Sequence, residues 1–397
     1  MQQPSRDHEQ KSDGGSVAAK AAIQKSSVRV RPVFLVWAPS SPRAEGLSSA
    51  LGAELILLSY RFKRKWYTPV KYPLLLMKSI SALKARRPRL IICQEPSPFC
   101  TISALLYRSL FERNARIIVD AHTADFEPPW SRLMAIHRKI LGRASLVIVT
   151  NNGLKQRVMS RYSVKRCQVL ADRVPATAER IRTDNDLSKP SRSSFKVAVV
   201  CSFAPDEPIR EVIAAACLVP EATFYITGDS RHAEKFGVAP RGKNNDGNVV
   251  FTGYLPKSDY LSLLSDADAV MALTNRDDTM LSGAAEALGL ARPLITSSWP
   301  ALKEYFDRGT LYVDNSPGQI AAAVRRAMSN LPRLTEEIDE LRLVKQQEWL
   351  QQFAEVRATL NAVAPDSGVL PATDRPVQAV SSGSDSSANG ISGSEAT

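Results

Sequence analysis

The sequence is poor in the features that mark secreted, metal-binding and membrane-spanning proteins. Its 397 residues include only five cysteines, which are scattered and form no CxxC pair. We therefore expect reduced thiols in the core and neither a disulfide framework nor a metal site. No apolar run approaches the roughly 18–20 residues that span a bilayer. Residues 1–27 lack the apolar centre of a signal peptide, so the sequence predicts a cytoplasmic protein.

Two further absences narrow the chemistry. No strand candidate is followed by GxGxxG, which argues against a nicotinamide- or flavin-dependent dehydrogenase. The segment Asp266-Ala267-Asp268 imitates a DxD metal motif, but it comes directly before a buried strand candidate, where a structural role is expected. We predict neither a bound metal ion nor a cofactor.

Acidic residues are scarce relative to basic ones. The chain has 52 Lys and Arg against 40 Asp and Glu, a formal net charge of +12. Such a balance favours anionic partners, namely nucleoside diphosphates, anionic lipid or nucleic acid. The imbalance is greatest between Glu54 and Glu95, where many Lys and Arg occur and no acid does.

This acid-free stretch also contains aromatic and aliphatic residues, including the run Leu74–Met77. Basic, aromatic and aliphatic residues together suit an anionic membrane surface, although a solvated basic face is the alternative. Nucleic acid is disfavoured because no recognition motif accompanies the bases. We hypothesise that the first domain docks here at the cytoplasmic leaflet, near a lipid-linked acceptor. The residues proposed for this contact are Arg61, Lys63, Arg64, Lys65 and Trp66.

Short apolar runs alternate with helical patterns along most of the chain, in equal numbers on each side of a polar segment at 175–195. This alternation predicts an α/β protein with parallel sheets, in which two Rossmann-like domains face a central cleft. The predicted parts are a disordered tail (1–27), an acceptor domain (28–174), a linker (175–195), a donor domain (196–333), C-terminal helices packing back across the domains (334–363) and a disordered tail (364–397).

The stretch 275–306, NRDDTMLSGAAEALGLARPLITSSWPALKEYF, is the most informative part of the sequence. It follows the strand candidate Ala269–Leu273 and continues as a polar turn, a helix of small residues with Glu286, a strand and another helix. N–H groups at a helix start face an anion, and a carboxylate accepts hydrogen bonds from hydroxyls. The stretch therefore predicts a site for a phosphate and a sugar, with a capping or solvated Glu286 as the alternative.

Other donor-binding candidates surround Glu286. The N–H groups of residues 279–282 are placed to hold a diphosphate, and Arg276 is placed to add a charge-assisted contact. Glycines that follow strands permit tight turns and the close approach of a nucleotide. The donor-binding candidates are Glu286, Asp278, Arg276, Thr279, Met280, Leu281, Ser282, Gly228, Gly253, Tyr254 and Leu255.

The first domain has its own candidates where the strand Arg116–Asp120 ends, in VDAHTADF. His122 lies at the carboxyl end of that strand, facing the expected cleft. It is suited to hydrogen-bond a sugar hydroxyl or to orient an acceptor, although a loop histidine without function is the alternative. Asp120 and Asp125 are candidate bases for an inverting reaction.

Over about residues 31–363 the chain resembles the GT-B glycosyltransferases, especially bacterial family 4-like transferases (glycosyl transferases group 1). The strongest local match runs from Asp278 to Glu286, where many retaining members carry two glutamates, and Asp278 is one methylene shorter. CSFAPDEPIREV, VLADRVP and QEPSPFCTISAL also resemble mannosyltransferases acting on chitobiosyl-diphospho-dolichol, which are inverting. The stereochemistry therefore stays open.

The resemblance implies a metal-independent hexosyltransferase that moves a sugar from a nucleoside-diphosphate sugar to a polysaccharide or lipid-linked acceptor. It also implies a basic pair after the first strand of the second domain, but this loop carries Asp206 and Glu207, and its nearest base is Arg210. A catalytically inactive GT-B-like binding subunit and a nucleotide-sugar epimerase on the same fold are the alternatives. The expected location is the cytoplasm, with peripheral attachment to the inner face of the membrane.

Overall fold

A computed structural model describes residues 31–60, 68–94, 98–128, 130–175, 194–229, 233, 247–277, 279–365 and 369. Within these ranges the chain forms two six-stranded sheets. The first sheet contains β1 (Val33–Val36), β2 (Glu54–Leu57), β3 (Leu90–Gln94), β4 (Arg116–Ala121), β5 (Leu146–Val149) and β6 (Cys167–Val169). The second contains β7 (Phe195–Val199), β8 (Ala222–Thr227), β9 (Val249–Gly253), β10 (Ala269–Ala272), β11 (Leu294–Ser297) and β12 (Thr310–Val313).

Helices fill the connections between strands. In the first domain they are α1 (Pro42–Leu51), α2 (Thr68–Arg86), α3 (Pro98–Leu110), α4 (Met134–Leu141) and α5 (Asn152–Arg161), with 3₁₀ turns at Thr123–Phe126 and Trp130–Leu133. In the second domain and beyond they are α6 (Ile209–Leu218), α7 (Lys257–Asp266), α8 (Ser282–Gly289), α9 (Pro300–Tyr305), α10 (Pro317–Ser329) and α11 (Leu331–Val363).

All strand pairs are parallel, in the orders β2-β1-β3-β4-β5-β6 and β12-β11-β10-β7-β8-β9. Strands such as β1, β3, β5, β10 and β11 are buried at every residue, because helices cover both faces of each sheet. This confirms the predicted α/β architecture of two parallel sheets. The strand order reverses between β1 and β3 in one sheet and between β7 and β10 in the other.

Local sequence signals place the loops that matter for the site. Helix α1 begins where Ser41 Oγ accepts the Ala44 N–H at 3.2 Å, with Pro42 at the first helical position. It ends at Gly52, which adopts a left-handed conformation with φ 65°. The short loop between β1 and α1 is therefore fixed at the carboxyl edge of the first sheet.

The long helix α11 packs on both domains. Leu334, Ile338 and Leu341 in its first half lie in the apolar clusters of the second domain. Trp349 and Phe353 in its second half lie with Val356 and Leu360 in the cluster on one face of the first sheet. Each half of the helix thus completes the core of a different domain.

Several expectations concern segments at the margins of the described structure. Ala364 and Val369, which the sequence analysis placed in the C-terminal tail, are buried in the same cluster of the first domain. The rest of that tail from residue 370, the tail at 1–27 and linker residues 176–193 lie outside the described residues. No helix within the described ranges is both long and apolar enough to cross a bilayer.

Candidate active site

The second sheet opens a crevice at its switch point, between the loops that follow β7 and β10. The loop after β10 is fastened at Thr274. Its N–H donates to Ser297 Oγ at 2.9 Å, and its hydroxyl donates to Asp206 Oδ2 at 2.8 Å. Its carbonyl accepts from Trp299 Nε1 at 2.8 Å and from Asn315 Nδ2 at 3.0 Å. These bonds hold the approach to α8 in one conformation at the mouth of the crevice.

The loop after β7 is held in shape by the acid Glu207. The family resemblance implies a basic pair in this loop instead. Glu207 accepts the Ser202 N–H at 2.9 Å, the Ser202 hydroxyl at 3.0 Å and the Ala204 N–H at 2.9 Å. With several donors engaged, this carboxylate folds its own loop and is not directed at a ligand. The loop therefore contributes backbone shape and no positive charge to the crevice.

Two glycines of the second domain make room for protein and not for ligand. Gly228 has φ +107°, and a Cβ there would lie 2.3 Å from the carbonyl oxygen of Cys201. Gly283 lies on α8, and its Cβ would meet the Val200 side chain at 2.7 Å. Val200 therefore fills the space on the Cβ side of Gly283.

Glu286 lies in the middle of α8 with its carboxylate half-buried. The Tyr260 hydroxyl of α7 donates to Glu286 Oε2 in a short hydrogen bond. Burial raises the pKa of Glu286, although Tyr260 and the more distant Lys257 act in the opposite direction. Burial and the adjacent carboxylate also raise the pKa of Tyr260. The Glu286 carboxylate thus already accepts one hydrogen bond, from the Tyr260 hydroxyl. Its remaining lone pairs can accept a hydrogen bond from a ligand hydroxyl.

The start of α8 is suited to an anion. Its cap residue, Leu281, makes no side-chain hydrogen bond to the helix, so the cap itself leaves the first N–H groups of the helix available. Met280 and Leu281 pack their side chains on the apolar cluster beneath, which anchors the segment leading into the helix. Thr279 is half-buried, and Ser282 is exposed at the first helical position.

The donor-binding candidates Gly253, Tyr254 and Leu255 form a separate group at the end of β9. Gly253 has φ +72° at the end of β9, and no atom lies within 4 Å of its missing Cβ. Tyr254 is 84% exposed, and Leu255 is half-buried. The structure brings none of these three into a contact with Glu286 among the described hydrogen bonds. Asp278 lies outside the described residues, as do Arg61, Lys63, Arg64, Lys65 and Trp66.

A buried ion pair dominates the carboxyl edge of the first sheet. Arg43, in the first turn of α1, donates through Nε (3.0 Å) and Nη2 (2.9 Å) to the Asp120 carboxylate at the end of β4. Its Nη1 donates to Asp172 Oδ1 at 2.9 Å. Burial alone would raise the pKa of Asp120, but Arg43 and His122 hold it well below its usual range.

The two predicted bases of the first domain, Asp120 and Asp125, are both buried and make contacts within the protein. Asp120 has no exposed surface and is committed to Arg43, so it is not accessible to a substrate hydroxyl. Asp125 is also buried, and its Oδ2 accepts the His122 N–H at 2.7 Å within the 3₁₀ turn. Both carboxylates therefore stabilise the loop that carries His122.

His122 is the partly exposed member of this group. Its Nε2 lies 3.0 Å from Gln94 Nε2 and 3.5 Å from Asp120 Oδ2. Gln94 is itself oriented by the Ser41 hydroxyl, which donates to its Oε1 at 2.6 Å. A chain of polar groups from the ends of β1, β3 and β4 thus fixes the imidazole. Ser41 and Gln94 were not anticipated, although the loop after β1 and the end of β3 flank the switch point of this sheet.

The two domains meet beside these groups. Arg276, in the loop after β10, lies with Nη2 3.3 Å from Asp206 Oδ1 and with Nη1 3.6 Å from Glu127 Oε2 of the first domain. A second bridge runs from Asn152 Nδ2 to Glu304 Oε1 at 2.8 Å. The loops after β4 and β10 therefore face each other across one cleft.

The DxD-like segment has a structural explanation. Asp268 Oδ2 accepts the Lys196 N–H at 2.8 Å, which ties the start of β10 to β7. Across the described part of the chain, no three His, Cys, Asp or Glu side chains are grouped so as to hold a metal ion.

Comparison with known proteins agrees with this architecture. The chain spans nearly the full length of several solved two-domain structures. A sucrose-phosphate synthase from Thermosynechococcus elongatus has 14% identity and a TM-score of 0.62, covering 84% of this chain and 99% of its own. A UDP-forming α,α-trehalose-phosphate synthase from Burkholderia vietnamiensis has 13% identity and a TM-score of 0.60, with coverages of 83% and 98%. The chain has the GT-B fold.

Other comparisons refine this statement. Residues 194–330, which run through most of the second GT-B domain, match the family model of glycosyl transferases group 1. HepE from Anabaena, solved in complex with UDP-glucose, has 12% identity and a TM-score of 0.58, covering 83% of this chain and 99% of its own. Among curated proteins no sequence matches. The resemblance to mannosyltransferases acting on chitobiosyl-diphospho-dolichol stays a prediction.

Proposed function

We propose that this protein transfers a sugar from a nucleoside-diphosphate sugar to an acceptor, across the cleft between its two domains. The observation that carries the proposal is the approach of Arg276 to Glu127, at 3.6 Å. This contact brings together the carboxyl edges of the two parallel sheets. Open α/β sheets bind their ligands at that edge. In this proposal Glu286 belongs to the donor side of the cleft and His122 to the acceptor side.

The donor fits the second domain. The N–H groups at the start of α8 suit the diphosphate, Arg276 supplies a positive charge nearby, and Glu286 accepts hydroxyl groups of ribose or sugar. The match of 194–330 to glycosyl transferases group 1 supports this assignment, as does a structural neighbour that holds UDP-glucose.

The acceptor fits the first domain, beside His122. Because Asp120 and Asp125 are committed to internal contacts, His122 is the one of the three predicted catalytic residues that a substrate can reach. We propose that its imidazole binds a sugar hydroxyl while Gln94 and Asp120 hold the ring. We propose a glycan or lipid-linked acceptor and a reaction without a metal ion.

The decisive experiment incubates the full chain with UDP- and GDP-sugars, with and without candidate acceptors, and measures nucleotide release. Release that depends on an acceptor supports transfer. Isomerisation of the donor sugar without an acceptor indicates an epimerase. Binding without either reaction, seen as a rise in Tm with nucleotide sugar, indicates an inactive binding subunit. That last alternative is favoured by one observation, the acidic loop after β7 in place of bases.

The role of Glu286 is tested by Glu286→Gln, which keeps the shape of the side chain and removes its charge. Loss of a hydrogen bond to a charged group costs about 1.5–3 kcal/mol, so kcat/KM is expected to fall roughly 10- to 100-fold. Glu340→Gln is the matched control, because Glu340 is exposed on α11 and pairs only with Arg308 among the described ion pairs. Equal kcat/KM for both variants and the unmodified chain would contradict the assignment.

A further inference from the structure

Helix α2 exposes an apolar stripe on the side that faces away from the sheet. Leu75, Ser79 and Leu83 are buried against the domain. On another face, Val70 is 50% exposed and Met77 is 67% exposed, with Leu74 between them at 36%. Positions i, i+4 and i+7 align on one face of a helix, so these three side chains form a continuous row.

The apolar surface continues onto the neighbouring helix α3. Lys84, two turns beyond Met77, holds its ammonium group 5.0 Å from the ring centroid of Phe111. Phe111 directly follows α3 and is exposed, as are Leu106 and Leu110 on that helix. We call these six residues the apolar face: Val70, Leu74, Met77, Leu106, Leu110 and Phe111. A contiguous group of this kind on a soluble domain indicates an interaction surface.

The charges on the two helices of the apolar face have one sign, and the nearest acid along the chain is Glu112, directly after Phe111. Neither α2 nor α3 contains an acidic residue, whereas α2 carries Lys71, Lys78, Lys84 and Arg86. Arg86 is paired with Glu54 at 2.7 Å. The three lysines take part in no ion pair among the described residues. Apolar side chains bordered by unneutralised lysines are complementary to an anionic bilayer, where lysine stems extend towards the headgroups.

The location of the face relative to the cleft also matters. Near the start of α2, Tyr72 has its ring 5.2 Å from Phe99 and 6.0 Å from Trp130. Phe99 and Trp130 follow β3 and β4, and Trp130 lies a few residues after Glu127. The aromatic rings thus connect the N-terminal end of α2 with the loop that carries His122. A surface bound to the apolar face lies next to the acceptor side of the cleft.

We propose that the apolar face binds an anionic membrane surface and presents the cleft to lipid-linked acceptors there. Self-association through this face is disfavoured, since two copies would oppose their lysines without an acid on α2 or α3. Nucleic acid is disfavoured because Val, Leu and Met side chains offer neither hydrogen bonds nor stacking to bases. Membrane binding itself does not depend on sugar transfer, whereas the lipid-linked acceptor rests on the proposed function.

The test is flotation of the full chain with vesicles of phosphatidylcholine alone or mixed with phosphatidylglycerol. Binding is expected with the anionic vesicles only. The variant Leu74→Ser/Met77→Ser should lower the partition coefficient at least tenfold. Lys71→Ser/Lys78→Ser should lower it about 25-fold, since each lysine near an anionic surface contributes about 1 kcal/mol. The control is Leu343→Ser/Leu350→Ser, which changes two equally exposed residues on α11.

The outcomes separate the proposal from its rivals. Flotation that is equal for both vesicle types, or unchanged in both α2 variants, overturns it. A dimer in sedimentation that Leu74→Ser/Met77→Ser dissociates assigns the face to self-association and also overturns it. Thermal unfolding of each variant verifies that the fold is retained. Nucleotide release with a soluble acceptor measures transfer separately, so failure of one proposal does not imply failure of the other.

Discussion

Replacing Arg43 with methionine should destabilise the protein more than any substitution of an exposed charge. The change keeps most of the side-chain volume and removes a guanidinium whose nitrogens contact Asp120, Asp172 and two backbone carbonyls. The Asp120 side chain has no exposed surface, and that of Arg43 is 8% exposed. Without Arg43 the carboxylate stays buried and loses its principal counter-charge.

The magnitude follows from this burial. Breaking a buried ion pair by removing one partner costs about 3–5 kcal/mol, a large part of the roughly 5–15 kcal/mol by which a domain is stable. For a domain of this size each kcal/mol lowers Tm by about 2–4 °C, so a decrease of roughly 6–20 °C is expected. Arg325→Met is the matched control. Its partner is Glu221 at 2.8 Å, but both side chains are about half exposed, and a loss of at most about 1 kcal/mol is expected.

Thermal and urea unfolding measure both variants. The double variant Arg43→Met/Asp120→Asn should recover part of the loss, because it no longer buries an unpaired charge. Equal Tm values for Arg43→Met and Arg325→Met would refute the reasoning, since the ion pair would then contribute no more than a surface pair.

The same ion pair should make stability depend on pH in a defined direction. The pKa of Asp120 in the folded protein is below its ordinary value, because Arg43 outweighs the effect of burial. Its stabilisation is therefore fully present above the unfolded pKa of about 3.9 and is lost as pH falls through the folded value. In Arg43→Met the buried carboxylate lacks that counter-charge, so burial raises the pKa of Asp120 in the variant. The stability difference between the unmodified chain and Arg43→Met should therefore shrink on acidification, starting as pH falls through the raised pKa of the variant. A difference that instead grows on acidification would contradict this sign.

Two further predictions concern glycines and the domain contact. Gly283→Ala should destabilise the protein by about 1–3 kcal/mol, because the new Cβ would press on Val200. In the control Gly46→Ala, on α1, the new Cβ meets no atom within 4 Å, and the protein should be stabilised by about 0.5–1 kcal/mol. Equal urea midpoints for the two variants would contradict the close contact of Gly283 with Val200. Glu127→Gln should tighten UDP or GDP binding roughly two- to fivefold in calorimetry, because the arginine it faces is then more available to a diphosphate. Unchanged or weaker binding would argue against that arginine as a donor ligand.

Strands were predictable from the sequence because strands buried on both faces are continuous apolar runs, as in LIIC before Gln94. Ser41, Pro42 and Gly52 are the start and stop signals that identify helix α1 in the sequence. The close contact between Gly283 and Val200 could not be predicted, because the two residues lie far apart in sequence and become adjacent only in the folded domain.

The ion pair of Arg43 could not be predicted from the sequence for a similar reason. Its partners Asp120 and Asp172 lie 77 and 129 positions away, and the order β2-β1-β3-β4-β5-β6 is what places their strands near one another. A lone arginine at a helix start and an aspartate at a strand end each have an ordinary local explanation. The resemblance identified the fold, and the role of Glu286 stays a prediction, while the surroundings of Asp120 and Asp125 required the structure.

The path of α11 also constrains the order in which the protein can fold during synthesis. The cluster on one face of the first sheet contains Trp349, Phe353 and Val369, more than 300 positions after Phe34, which belongs to the same cluster. Because loop closure over such separations comes late, the N-terminal domain cannot complete its core when it leaves the ribosome. It must wait for the second half of α11, whereas the second domain needs only the first half, so we expect the second domain to complete its core first in the nascent chain.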